Sequence, residues 1–205
     1  MSGMAEDDLT LLDRWSAGDK EAGNQLFLRY FEALYRFFEH KTDGEIDDLV
    51  QETFLACLKG RETFRRQSSF RTYLFAIARH VLFGYWRRRT TGPATLDFAE
   101  ISVESLSTSV VTRVSKKQDR AALLAALRAL PLDQQILLEM FYWEELERDQ
   151  LAEVFDVNTA TIGTRLFRAR QALQGRLTAP SGVNGDNAEG FDDWAKGLGR
   201  DAAPK

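Results

Sequence analysis

Cysteine and histidine are both scarce in this chain of 205 residues. It contains one cysteine, Cys57, and two histidines, His40 and His80. A single cysteine excludes an internal disulfide framework, and three scattered Cys and His residues predict no zinc site. We therefore expect no bound metal.

Long apolar runs are also missing. No stretch approaches the roughly 18 residues needed to cross a bilayer, so no membrane span is predicted. The first ten residues are acidic and lack the apolar stretch of a secretory signal. We expect the protein to be cytoplasmic.

Charge is divided unevenly along the chain, although the net charge is only −4. Residues 1–52 hold 13 acids and 5 bases, a net charge of −8, whereas residues 61–89 hold 8 bases and 1 acid, a net charge of +7. Such segregation indicates that partners of opposite sign bind each segment. The alternative is two solvated faces of one domain.

Apolar residues recur at helical spacing, and no segment alternates for long, so the predicted class is all-α. We predict two small helical domains, residues 1–90 and 114–177, with the second ending in a helix-turn-helix. Residues 91–113 are rich in serine and threonine and hold three acids against one base, which predicts a flexible acidic linker. Residues 178–205 are rich in glycine and aspartate and are predicted to be a disordered tail.

The helix-turn-helix prediction comes from residues 148–169. A small residue, Ala152, precedes a turn at Asp156 by four positions, and Ile162, Leu166 and Ala169 then repeat at i, i+4 and i+7. This leaves an outward face of hydroxyl and guanidinium groups, which suit base edges and phosphates. The residues of that face are Thr161, Thr164, Arg165 and Arg168. A plain helical hairpin with a solvated face is the alternative.

A second candidate site, residues 64–89, interleaves aromatic side chains with arginines. Aromatic rings can stack on unpaired bases while guanidinium groups hold the backbone, which is how single strands are bound. The alternative is that the aromatic rings belong to a core and the arginines are solvated.

A third candidate site is acidic and lies between residues 45 and 52. Four carboxylates, those of Glu45, Asp47, Asp48 and Glu52, fall within about two helical turns. Their spacing is not that of an EF-hand loop, and nothing indicates the pocket that paired catalytic carboxylates need. We favour a docking face for an arginine-bearing partner over a merely solvated helix.

Together these segments make the chain resemble bacterial RNA polymerase sigma factors of the extracytoplasmic-function group of the sigma-70 family. The family signature D-A-E-D-L-x-Q-E-x-F corresponds to residues 45–54. The pattern W-L-x-x-I-A-R-N, followed by D-x-x-R-R, corresponds to residues 73–80 and 85–88. The L-P pattern at the start of the second domain corresponds to residues 130–136, and G-T-V-K-S-R-L-x-R-A-R to residues 160–170.

The resemblance implies a sigma factor, which binds core RNA polymerase and promoter DNA and directs promoter-specific initiation. In some members of the family an anti-sigma factor controls the sigma factor. The resemblance assigns polymerase docking to Asp47, Asp48, Gln51 and Glu52. It assigns capture of the melted minus-ten strand to Arg65, Arg66, Tyr73, Arg79, Trp86, Arg87 and Arg88. The outward face of the helix-turn-helix would bind the minus-thirty-five element, and the apolar stretch 136–143 would bind the polymerase flap.

Several positions depart from the family pattern. His80 replaces the usual asparagine, Gly84 stands where an acid is common, and Asp156 replaces the turn glycine. Ala160 and Gly163 replace glycine and lysine in the recognition helix. Gly163 costs a helix about 1 kcal/mol relative to alanine and removes a charge that would contact phosphate. The promoter sequence is therefore not predicted.

Two other classes of function fit the sequence less well. A free-standing helix-turn-helix regulator would bind its operator without polymerase, but the acidic segment argues against it. An enzyme acting on nucleic acid would need a nucleophile–base pair, a metal cluster or a phosphate-binding loop, and the sequence indicates none of these. We expect no catalytic residues and no cofactor.

Overall fold

The computed structural model describes residues 6–60, 68–90, 96–106 and 118–177. Helices dominate these ranges and no β-strand occurs within them, which confirms the predicted all-α class. No helix in these ranges is both long and apolar enough to cross a membrane. Arg65, Arg66 and the tail from residue 178 lie outside the described residues, so their predictions stay untested.

Four helices form the N-terminal half, the described residues up to 90: α1 (Asp8–Ser16), α2 (Lys20–Glu39), α3 (Ile46–Gly60) and α4 (Phe70–Arg89). Side chains of Asp7, Asp19 and Ser69 accept hydrogen bonds from backbone N–H groups at the starts of α1, α2 and α4. Such caps satisfy donors that a helix start leaves unpaired. Local sequence therefore fixes where these helices begin.

The core of this half lies between α2, α3 and α4, where apolar side chains of all three helices are buried. α1 packs against α2 at a close crossing. A Cβ atom on Gly23 would lie 2.5 Å from the indole nitrogen of Trp15, so only glycine fits there. This packing leaves the outer face of α3 and the end of α4 in solvent.

The middle of the predicted linker is packed against the protein rather than free. Residues 96–106 include the short helix α5 (Val103–Leu106), and Phe98 and Val103 are buried. Phe98 stacks on Phe83 of α4 with ring centroids 4.1 Å apart. The expectation of a flexible linker is thus wrong for these residues, because their apolar side chains, among them Phe98 and Val103, pack against the core.

The C-terminal half, residues 118–177, contains α6 (Gln118–Arg128), α7 (Leu132–Tyr142), α8 (Arg148–Phe155) and α9 (Thr159–Gln174). Pro131 is the residue that precedes α7. α7 supplies the core of this half, and Ile136, Leu137, Leu138 and Met140 are buried. Most of the stretch predicted to bind the polymerase flap is therefore covered in this arrangement.

The two halves contact each other. α8 packs against α4, and ion pairs connect α2, Lys41 just after it, and α4 with α7 and the residues that follow it. α4, which carries most of the predicted single-strand site, is therefore covered on one side by the C-terminal half.

Candidate nucleic-acid and polymerase interface

α8 and α9 form the predicted helix-turn-helix. Asp156 takes the left-handed backbone conformation, with φ 52° and ψ 51°, at the turn between them. This conformation is normally favourable for glycine but is also open to aspartate. The Asn158 side chain then caps α9 by accepting a hydrogen bond from the Thr161 backbone N–H at 2.7 Å.

The inner and outer faces of α9 are separated as the spacing predicts. Ile162, Leu166 and Ala169 are buried against α7 and α8. The opposite face presents side chains that are exposed, or half-buried in the case of Thr161: Thr161, Thr164, Arg165 and Arg168. The structure thus brings these four predicted DNA-binding residues together on one solvent-facing surface.

Sequence reasoning missed one residue of this surface. Phe167 lies one helical turn after Thr164, and 60% of its surface is exposed. The sequence could have indicated this residue, because it is a large aromatic side chain at an outward position of the recognition helix. An exposed phenyl ring there can make apolar contact with a thymine methyl group.

Three arginines end α4 and face solvent. Arg88 donates to Glu52, while the guanidinium of Arg89 lies 3.6 Å from the carboxylate of Glu45. Arg87 lies over the ring of Phe98. Because these guanidinium groups sit at the surface, phosphate groups can approach all three of them.

The aromatic part of the predicted single-strand site is a core in this structure. Trp86 is 1% exposed, and its indole N–H donates to the Lys41 carbonyl at 2.9 Å. Tyr85 is buried too, and the half-buried Tyr73 donates its hydroxyl to the Cys57 carbonyl at 3.1 Å. The prediction that Trp86 stacks on bases is not supported here, because its ring faces the other helices of this half.

Arg79 is held between the two halves rather than presented to solvent. Its Nη2 and Nε atoms lie 2.8 and 3.2 Å from one carboxylate oxygen of Asp133, at the start of α7. Its guanidinium also lies over the rings of Phe83 and Phe155. In this arrangement Arg79 is not available to DNA.

The predicted polymerase-docking residues share the exposed face of α3. Asp47 and Asp48 lie in its first turn, where acids are favoured by the helix dipole, and Gln51 and Glu52 follow one turn later. Leu55 continues this face and is 55% exposed, which sequence reasoning did not single out. The face therefore combines carboxylates with one apolar side chain, a composition that suits a cationic and partly apolar helical partner.

Side chains suited to metal binding do not come together in the part of the chain that the structure describes. No cluster of three or more His, Cys, Asp or Glu residues that could hold a metal ion occurs within it. Burial raises the pKa of the Cys57 thiol to about 12, which keeps it protonated and unreactive at neutral pH.

Two family models match the chain. Sigma-70 region 2 matches residues 26–91, and Sigma-70, region 4 matches residues 120–173, so that together they cover more than half of its length. The first match contains α3 and α4, and the second contains the helix-turn-helix. The surfaces described above thus fall inside the two matched regions.

Similar proteins cover nearly the same length. The ECF RNA polymerase sigma-E factor of Escherichia coli K12 is 25% identical over an alignment of 179 residues, and the match covers 83% of this chain and 94% of that protein. The protein of the same description from Haemophilus influenzae is 27% identical and covered over 95% of its length.

Solved structures share the fold. The sigma factor RpoE of Bartonella quintana, in complex with the anti-sigma factor NepR, aligns at a TM-score of 0.58 and 21% identity, over 76% of this chain and 96% of that one. CnrH, in complex with the cytosolic domain of CnrY, aligns at a TM-score of 0.60 and 20% identity, over 83% and 96%.

Proposed function

The chain belongs to the extracytoplasmic-function group of the sigma-70 family of RNA polymerase sigma factors, and from this premise we propose which of its surfaces binds each partner during promoter-specific transcription initiation. The observation that carries the proposal is the separation of charge into one exposed acidic face and two exposed basic faces. Each face suits a different partner, since DNA is a polyanion and the acidic face repels it.

The acidic face of α3 is the proposed docking surface for core polymerase. Its four polar residues, Asp47, Asp48, Gln51 and Glu52, project from one helix face, and none is buried. By family resemblance its partner is the coiled coil of the largest polymerase subunit. Charge-assisted hydrogen bonds from arginines of that partner would supply affinity, and Leu55 would add apolar contact.

The end of α4 is the proposed contact with the minus-ten element. Arg87, Arg88 and Arg89 would hold the phosphate backbone of the melted non-template strand, as positively charged grooves do in other single-strand binders. Arg65, Arg66 and Tyr73 stay proposed contributors. Arg79 joins this surface only when the two halves separate, and Trp86 acts by supporting α4 from within the core.

The outward face of α9 is the proposed contact with the minus-thirty-five element in the major groove. Arg165 and Arg168 can donate two hydrogen bonds to guanine or bind phosphate, while Thr161 and Thr164 offer hydroxyl groups. Phe167 would contact a thymine methyl group. With Gly163 in place of a cationic residue, this helix makes fewer phosphate contacts than the family pattern provides.

Partner and compartment follow from the same role. We propose that the protein acts in the bacterial cytoplasm, where core polymerase and chromosomal DNA are, and that it has no catalytic activity of its own. The Bartonella quintana relative was solved with an anti-sigma factor. We propose that this chain, too, is controlled by such a protein.

Reconstitution with purified core polymerase tests the proposed function. We expect the chain to direct transcription from a subset of fragments in a genomic promoter library, and to bind those fragments tightly only when core polymerase is present. A free-standing regulator would instead shift its operator in a gel without polymerase. Tight binding without polymerase, together with no transcription, would refute the proposal.

A further inference from the structure

An aromatic pocket opens on the N-terminal half, where α1, α2 and α3 meet. It encloses about 270 Å³, and its wall is formed by Trp15, Lys20, Gly23, Asn24, Phe27 and Phe54. The ring centroids of Phe27 and Phe54 are 5.2 Å apart, and the Trp15 indole meets Phe54 edge-on at 6.4 Å. None of these residues belongs to the proposed polymerase-docking or DNA-binding surfaces, so the pocket is a separate feature of the molecule.

Two polar side chains at the rim give the aromatic pocket a chemical preference. Lys20 and Asn24 are exposed, and no carboxylate pairs with Lys20 among the described residues. The neighbouring Asp19 carboxylate is already in use, because it caps α2 and binds Arg14 at 2.6 Å. A ligand that carries aromatic rings next to negative charge therefore fits, since its rings can enter the pocket while its charge pairs with Lys20.

The chain itself carries a segment of this chemistry beyond the described residues. It continues for 28 residues past Leu177, and residues 191–194 in this tail read Phe-Asp-Asp-Trp. Phe191 and Trp194 are the only aromatic residues after Leu177, and residues 178–195 hold four acids and no base. We propose that this aromatic-acidic segment, residues 191–194, binds the aromatic pocket of the same chain. The inference does not depend on the proposed function.

The groups of the segment match those of the pocket. Phe191 and Trp194 stand three positions apart, a spacing that puts two side chains on one side of a helical turn. Both rings would then pack on the aromatic walls, where edge-to-face and offset contacts add to the burial of apolar area. An aspartate between them would pair with Lys20 at the start of α2, where the helix dipole also favours negative charge.

The tail is long enough to reach the pocket. Phe191 lies 14 residues beyond Leu177, and an extended chain covers about 3.3 Å per residue, or about 46 Å in all. A compact chain of 205 residues has a radius of gyration of about 17 Å. The tether therefore spans most paths over the surface from the end of α9.

Covering the pocket has a physical benefit. Exposed aromatic surface attracts the apolar surfaces of other proteins and promotes association. A segment of the same chain is present at a high effective concentration, whereas a second copy at micromolar concentration is far more dilute. The tail is therefore favoured over a second molecule as the occupant.

Disulfide formation measures where the segment lies. One variant carries Glu21→Cys, beside Lys20 at the pocket rim, together with Ala195→Cys in the tail. The comparison variant carries Gln174→Cys with Ala195→Cys, and its two cysteines are only 21 residues apart. Glu21 and Gln174 are both exposed, and native Cys57 is buried and can stay. A tail without a binding site would close the shorter loop faster, because the entropy cost of closure grows with loop length.

We expect the opposite order in a glutathione redox buffer, with the Glu21→Cys pair closing about tenfold faster because docking raises the local concentration of the tail cysteine. Adding Phe191→Ser and Trp194→Ser should remove this preference. Val183→Ser with Ala188→Ser, which changes apolar side chains elsewhere in the tail, should keep it.

Faster closure of the Gln174→Cys pair would overturn the proposal, and so would a preference that survives the loss of both rings. A disulfide that joins two chains would also overturn it, since the occupant would then be a second copy.

Charge reversal tests the polar part of the site. Lys20→Glu should slow closure of the Glu21→Cys pair by about threefold, the effect expected for one exposed ion pair. Lys59→Glu is the matched control, because it makes the same change in charge at an exposed position near the end of α3. Equal slowing in both variants would overturn the proposed pairing with Lys20.

A fluorescent probe reports whether the pocket is covered. Anilinonaphthalene sulfonate joins aromatic rings to an anionic group and so shares the chemistry of the proposed occupant. In the full chain with Phe191→Ser and Trp194→Ser, its apparent affinity should rise about fivefold over wild type, the gain expected if the segment covers the pocket about 80% of the time. Asn24→Trp, which fills the pocket, should cancel that gain. An unchanged affinity in a folded double variant would overturn the proposal.

Discussion

Arg88 and Glu52 form an exposed ion pair, with two guanidinium nitrogens 3.4 and 3.2 Å from the two carboxylate oxygens. It joins the proposed DNA-binding end of α4 to the proposed polymerase-docking face of α3. The two side chains are 59% and 45% exposed, so the pair contributes at most about 1 kcal/mol to stability. Either residue can therefore turn to an outside partner at little cost, and polymerase docking on Glu52 would release Arg88 toward DNA.

Replacing Arg87, Arg88 and Arg89 by glutamine should weaken DNA binding of the holoenzyme at every promoter. The reason is that guanidinium groups that contact phosphate contribute affinity at any sequence. The slope of log affinity against log salt concentration should therefore become shallower by roughly one for each lost contact. Binding is measured by filter retention from low to high salt. Lys59→Gln, an exposed cation on α3, is the control, and a change of promoter preference in the triple variant would contradict this assignment.

Replacing Asp47 and Asp48 by alanine should weaken binding to core polymerase by about 2 kcal/mol, or roughly 30-fold, if two charge-assisted contacts are lost. Fluorescence anisotropy with purified core polymerase measures the change. Glu21→Ala with Glu32→Ala removes the same charge from exposed positions of α2 and should leave affinity unchanged. An equal loss in both variants would show that overall charge, rather than this face, sets the affinity.

Arg165→Ala should change which upstream sequences are used, rather than weaken all promoters alike. A bidentate contact to a guanine supplies about 1–3 kcal/mol of discrimination at one base pair. Transcription from a library randomised over the minus-thirty-five region measures this preference. A uniform loss of transcription over the whole library would instead mean that Arg165 contacts a phosphate group.

Sequence reasoning succeeded where partners lie within one or two helical turns. The burial of Ile162, Leu166 and Ala169 follows from their spacing along one helix. That spacing is local geometry, which a sequence pattern contains. The exposed positions of α3 and α9 were predictable for the same reason.

Sequence reasoning failed where the partner is distant along the chain. Trp86 is buried because its indole group finds the Lys41 carbonyl, 45 residues away, and Arg79 is occupied by Asp133, 54 residues away. Composition also concealed Phe98, the aromatic residue of a segment rich in serine and threonine, which stacks on Phe83. Charge, aromaticity and periodicity do not specify such pairings, which depend on how the two halves pack.

Gly163→Ala should stabilise the protein by up to about 1 kcal/mol, because alanine lowers the conformational entropy cost of the helix interior. A Cβ atom there would have no neighbour within 4 Å, so no clash offsets the gain. Urea unfolding measures the change, and Gly23→Ala, which would collide with Trp15, is the contrasting variant and should destabilise. Equal effects at both glycines would contradict this account.

Trp86→Phe separates the core role of Trp86 from a role in contacting DNA. The indole donor to the Lys41 carbonyl would be lost in a buried site, and a smaller ring would leave space, so we expect the free energy of unfolding to fall by about 1–3 kcal/mol. Promoter opening by the holoenzyme, measured well below the unfolding transition, should be nearly unchanged, because the ring does not reach the surface of α4 in this arrangement. Permanganate footprinting of the melted minus-ten region measures that step. Loss of opening with unchanged stability would mean that Trp86 leaves the core to contact bases, and α4 would then have to rearrange when the promoter melts.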